Sequence, residues 1–140
     1  MHANSIIEQI TEVVNWWYSI DEDYLNLTEL MYQRKQLSGL LFYFATEMGA
    51  HKTHMKLAKA DYENKRAKEA VKYEKDHGTS KADRLSAANS SDERSEYYEQ
   101  EAIQDMMVNQ YYAIQKILDA MNQKIAFLRK EYERNQLFGT

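Results

Sequence analysis

An all-α chain of long amphipathic helices follows from three observations. Proline is absent, the only glycines in 140 residues are Gly39, Gly49, Gly78 and Gly139, and apolar residues recur at spacings of three and four. Sheet proteins need proline and glycine to punctuate their turns, and a chain without them runs naturally into long helices. The predicted arrangement is a helical hairpin or bundle with a coiled-coil-like C-terminal helix. It forms a single domain of N-terminal helices (1–50), a basic helix (51–77), a polar linker (78–92) and a long C-terminal helix (93–136). At this length, with 44% hydrophobic residues, one modest core is what the chain can bury.

The first helix is read from Ile6, Ile10, Val13 and Trp17, which fall on one helical face with Ile7 and Val14 beside them. Asn4 is its expected cap. Ser19-Ile20-Asp21-Glu22 has the form of a capping box and predicts that a helix restarts there. Its apolar positions are Leu27, Leu30, Met31, Leu37, Leu40, Leu41, Phe44 and Met48, as far as Gly49, which either ends the helix or bends it. From Lys52 to His77 alanine, lysine and glutamate favour helix by propensity while offering little apolar surface. Gly78 stops that run, and the small polar stretch to Asp92 reads as a loop holding at most one short helix, over Ser80 to Ala88.

The last helix starts near Ser90, at a second capping-box pattern, and runs to about Asn135. Met107, Tyr111, Ile114, Leu118, Met121, Ile125, Leu128 and Tyr132 follow a four-three alternation without a miss, nearly four heptads of seam. Ile103, Met106, Ala113, Ile117 and Ala120 widen it to a second face. Such a seam is satisfied either inside one chain or between chains. The poorly apolar middle helix leaves more seam than one chain is expected to cover, so self-association through these eight residues, giving a homo-oligomer, is the expectation.

Charge is partitioned more tellingly than the net −4 suggests. Residues 1–50 carry two basic and seven acidic side chains, 51–84 carry ten and six, and 85–140 carry six and nine. The positive charge is concentrated in the middle helix, where Lys52, Lys56, Lys59 and Arg66 share one face and Lys65, Lys68, Lys72 and Lys75 the opposite one. Tyr62 stands between Lys59 and Arg66. Lysine and arginine neutralise phosphates and a tyrosine stacks on a base, so Lys52, Lys56, Lys59, Tyr62, Lys65 and Arg66 are the candidate contacts to a single strand. The interleaved Asp61, Glu63, Glu69, Glu74 and Asp76 fit equally a solvated face laced with i,i+4 pairs.

Several function classes are excluded or weakly signalled. Without cysteine there is no disulfide, thiolate metal site or cysteine nucleophile, which suits a reducing cytoplasm. The longest apolar stretch, Leu40 to Ala45, is far short of the roughly 20 residues that span a bilayer, and no secretory leader pattern opens the chain. Glu47, His51 and His54 share a helical stripe that a divalent metal uses only with ligands from a second helix, and no second Glu-x-x-His occurs. No pairing of acids, Ser/His/Asp arrangement or glycine-rich phosphate loop appears, so neither catalysis nor a cofactor is expected.

The layout resembles the UvsY-type recombination mediators of T4-like phages. The likeness rests on length, an acidic N-terminal helical part, Lys59-Ala60-Asp61-Tyr62 in a lysine-rich helix, Leu85-Ser86-Ala87 after a polar linker, and the long amphipathic C-terminal helix. It implies a helical oligomer that binds single-stranded DNA, helps displace single-strand-binding protein and promotes loading of a RecA-like recombinase. The family's basic cluster before its Asp-Tyr maps onto Lys59 with Lys56 close by. The family's second basic position falls here on Leu57, a departure for which Lys65 and Arg66 compensate from beyond Tyr62. The alternative is a helical structural or adaptor protein, a phage inhibitor of a host protein among them, binding another protein through its seam.

Overall fold

The computed structural model describes residues 3–138, the side chains of Ala3, Asn4 and Asp76 excepted. Among the described residues there are four α-helices and one 3₁₀ turn, and no strand: α1 (Ala3–Ser19), the turn Glu22–Tyr24, α2 (Leu27–His77), α3 (Thr79–Asn89) and α4 (Ser91–Leu137). The all-α expectation holds. No helix among the described residues is long and apolar enough to cross a membrane. The expected Asn4 cap lies outside the described side chains, as does Asp76, and Gly139 lies outside the described residues.

The helix restart expected at Ser19 falls instead at Asn26. Ser19 Oγ donates back to Trp16 O at 3.3 Å and closes α1. Asp21 caps the 3₁₀ turn by accepting from the Asp23 N–H at 3.1 Å. Asn26 Oδ1 then accepts the Glu29 N–H at 2.8 Å, and Asn26 Nδ2 donates to Glu29 Oε2 at 3.5 Å. Asn26-Leu27-Thr28-Glu29 is therefore the start signal of α2, a side-chain cap on its first orphan donors. The same Glu29 accepts the Trp16 indole N–H at 3.1 Å, tying α1 to α2.

Gly49 neither ends nor interrupts α2, whose hydrogen-bonded run continues to His77. The chain divides into two compact units, one made of the chain up to Glu47 and from Asn109 onward, the other Met48–Val108. In the first, Ile6, Ile10 and Val13 of α1, Leu30, Leu37, Leu40, Leu41 and Phe44 of α2, and Ile114, Met121 and Ile125 of α4 are buried. Ile114, Met121 and Ile125, with half-buried Tyr111, Leu118 and Leu128, are the heptad seam, and Tyr132 is 61% exposed. Part of the expected self-association seam is thus buried within the chain, while Tyr111, Leu118 and Leu128 are half-buried and Tyr132 is exposed. The apolar faces of α1 and of the first half of α2 together supply the complement that α2's polar half lacks.

In the second unit, the short helix expected over Ser80 to Ala88 is α3, Thr79–Asn89, and it takes up nearly the whole of the stretch read as a linker. Gly78, at φ 76°, takes the left-handed backbone that turns α2 into α3, a conformation that costs a residue with a Cβ. Ala82, Ser86 and Ser90 then recur at every fourth residue and are all buried. The serine hydroxyls donate to backbone carbonyls of their own helix, Ser86 Oγ to Asp83 O at 2.8 Å and Ser90 Oγ to Ser86 O at 2.6 Å. A buried stripe of small, internally satisfied residues packs the helix, with Leu85 half-buried beside it. Ser90 is the only residue between α3 and α4, and Met107 closes the unit's buried set.

Candidate nucleic-acid-binding face

The second unit is held by an antiparallel pairing of α2 with α4. Residues ascending along α2 meet residues descending along α4. His51 contacts Gln104 and Gln100 at 2.8 and 2.7 Å, Tyr62 stacks on Tyr97 with centroids 6.3 Å apart and planes at 6°, and Lys65 Nζ reaches Glu93 Oε1 at 3.2 Å. Arg66 donates to Tyr62 OH at 3.4 Å and to Asp83 Oδ1 of α3 at 3.3 Å. Those two hydrogen bonds raise the guanidinium pKa above its already high value. The Glu93 carboxyl is held below the usual range, first by its own backbone N–H and then by Lys65.

One side of this helix pair is acidic. Asp61 of α2 with Asp92, Glu93 and Glu96 of α4 line a hollow together with His54, Leu57, Ala58 and Gln100. The opposite side carries the exposed lysines, with Glu63, Glu101 and Asp105 among them, as helical geometry dictates. Two residues along a helix turn a side chain by about 200°, to the far side. Lys59 is two residues from Asp61, Arg94 two from Asp92, and Tyr98 two from Glu96. Lys52, Lys56 and Lys59 fall within about 60° of one another at ~100° per residue, and all three are exposed. None of the three is in an ion pair among the described residues. Glu63 and Asp105, both exposed, lie toward the same side and moderate its field.

The sequence-predicted contacts thus separate into two groups. Lys52, Lys56 and Lys59 form an open row. Lys65 and Arg66 are half-buried in ion pairs, and Tyr62 is half-buried with one ring face covered by Tyr97. Tyr62, expected as the stacking ring, thus has one ring face against Tyr97 of α4. Arg94, Tyr97 and Tyr98 were not among the predicted residues, because their side of α4 is defined only once α2 is paired with it. His51, taken with Glu47 and His54 as a weak metal stripe, has both ring nitrogens on glutamines, and among the described residues no group of three or more His, Asp or Glu side chains gathers to hold a metal.

The fold defines an all-α protein of long paired helices, with a charge-sided helix pair in its second unit. No family model matches the chain, and neither curated proteins nor solved structures give a significant match.

Proposed function

We propose that this chain is a non-enzymatic, cytoplasmic single-stranded-DNA-binding protein of the recombination-mediator kind, which helps a RecA-like recombinase replace single-strand-binding protein. The observation that carries the reading is the row Lys52, Lys56, Lys59, exposed on successive turns of α2 and without the ion pairs that occupy Lys65 and Arg66. Three lysines at helical spacing match a run of phosphates, and each contact releases condensed counterions. One such row is weak, with Glu63 and Asp105 nearby, so several copies acting together supply the affinity. The mediator role itself rests on the resemblance carried by Lys59-Ala60-Asp61-Tyr62 and the helix layout.

Self-association draws on the half-buried seam residues and on the open face beside them. Ala113, Ile117 and Ala120 of α4 line open hollows with Trp17 and Tyr18 of α1, and Tyr18, Tyr112 and Phe127 there are more than half exposed. The same open face is what favours the second reading, a helical adaptor that binds a different protein there. Fluorescence anisotropy of a labelled single-stranded oligonucleotide at low and moderate salt, with particle mass measured on the same sample, separates them. Salt-sensitive, saturable binding by an oligomer supports the mediator. A monomer that ignores the strand at low salt leaves the adaptor.

A further inference from the structure

We propose that Tyr98, braced by Arg94 and Tyr97, is the site at which this protein stacks an unpaired nucleobase. The inference rests on the single-strand reading above and deepens it. It does not follow from the sequence, where Tyr98 is one of eleven tyrosines.

Four observations converge on this side chain. Tyr98 is 52% exposed although it lies on a helix that packs on α2 through its immediate neighbour Tyr97. It is turned to the same side of the helix pair as Lys52, Lys56 and Lys59, away from the carboxylates of the hollow. Its ring is held rather than free: Tyr97 lies at 5.4 Å between centroids with planes tilted by 39°, and the Arg94 guanidinium sits over the ring at 5.8 Å. Tyr97 is in turn fixed by its parallel stack on Tyr62 and by its hydroxyl, which donates to Glu101 Oε2 at 2.6 Å. The antiparallel pairing, with Tyr62 opposite Tyr97 and Lys65 opposite Glu93, sets Tyr98 at the level between Lys59 and Glu63.

Chemistry then names the ligand class. A phosphate row needs only cations, whereas a half-exposed aromatic ring with an arginine over it, placed beside that row, offers a π-surface for a base whose backbone the lysines hold. Every base has a π-face, so the contact is tolerant of sequence, and a base paired in a duplex cannot reach it. Holding the ring in place before binding lowers the ordering cost of the contact. The ligand is therefore a single strand with unstacked bases rather than a duplex or a generic polyanion.

The test uses the full chain, a labelled oligothymidylate and an abasic strand of equal length, titrated with wild type, Tyr98→Phe and Tyr98→Leu. Phenylalanine keeps the π-face and leucine keeps apolar bulk without it, and at this exposed position both fold. Wild type and Tyr98→Phe should bind oligothymidylate more tightly than the abasic strand. Tyr98→Leu should lose roughly ten-fold or more on oligothymidylate, the order expected for one stacked base, with binding to the abasic strand unchanged. Equal binding of oligothymidylate by Tyr98→Leu and wild type, or equal binding of both strands by wild type, overturns the base site while leaving the lysine row standing. Absence of binding to either strand by wild type overturns both.

Discussion

His51 Nε2 lies 2.7 Å from Gln100 Oε1, and the Gln100 amide is oriented from its far side. Gln100 Nε2 donates to Glu96 Oε1 at 3.1 Å, which turns the amide oxygen toward the His51 ring. The other ring nitrogen meets Gln104, which is only 8% exposed. This polar layer crosses the α2–α4 pair in the unit that carries the lysine row. Sliding either helix by a turn would strand its buried polar groups, so it fixes the register in which Tyr62 meets Tyr97.

Gln104→Leu should therefore destabilise the protein by about 1–3 kcal/mol, because His51 Nδ1 loses its partner in a largely dry interface. Adding His51→Leu should recover a good part of that loss, since an apolar pair leaves nothing in the layer unsatisfied. Urea unfolding followed by circular dichroism gives both values, and additive losses in the double variant would contradict the role assigned to the layer.

The seam makes an equally direct prediction. Met121 is fully buried and Met121→Ala should cost about 2–5 kcal/mol through lost burial and a residual cavity. Tyr132 belongs to the same heptad pattern but is 61% exposed, and Tyr132→Ala should fall within about 0.5 kcal/mol of wild type. Comparable losses at the two positions would mean that the seam is covered from outside the chain.

Gly39 and Gly49 sit inside α2, and a Cβ built on either meets nothing within 4 Å. Gly39→Ala and Gly49→Ala should each raise stability by about 0.5–1 kcal/mol, the ordinary helix cost of glycine. Thermal melts of the two variants decide it. A loss of stability at either would show that its backbone is approached by something the isolated chain does not contain.

Tyr97 gives the pH dependence. Its phenol is pushed up to about 12, chiefly by its hydrogen bond to Glu101, with burial and the Glu101 charge adding to it. The proton is held more tightly in the folded state than in the unfolded one. Its contribution to stability is therefore complete below the ordinary phenol range near pH ~10 and is lost as pH rises toward 12. Absorbance titration of the tyrosinates should show one late-ionising group, absent in Glu101→Gln.

How far the fold was legible depends on which residues mark it. Large side chains made α1, the first half of α2 and the seam of α4 readable, because Ile6, Leu37, Met121 and their neighbours leave a helical period in the sequence. The third helix was readable as a short helix over Ser80 to Ala88, but its packing was not, since its buried stripe is Ala82, Ser86 and Ser90, small residues that leave no apolar period. Two short motifs of similar form competed for the start of α2, and local sequence could not choose Asn26 over Ser19 without Trp16 reaching Glu29. At the candidate face, charge located Lys52, Lys56 and Lys59. The burial of Tyr62 and the exposure of Tyr98 depend on a pairing between residues some 35 positions apart in the chain, which no local pattern carries.

The most direct test of the lysine row is the salt dependence of single-strand binding in two variants of equal net charge. One is Lys52→Gln, Lys56→Gln, Lys59→Gln. The other is Lys68→Gln, Lys72→Gln, Lys75→Gln on the opposite face of α2. Each lysine that neutralises a phosphate contributes about 0.7 to the slope of log affinity against log salt for a single strand. The first variant should bind more weakly, with its slope reduced by about 2, while the second keeps the wild-type slope. Equal losses in the two variants, or an unchanged slope in the first, would contradict the assignment of the strand to this face.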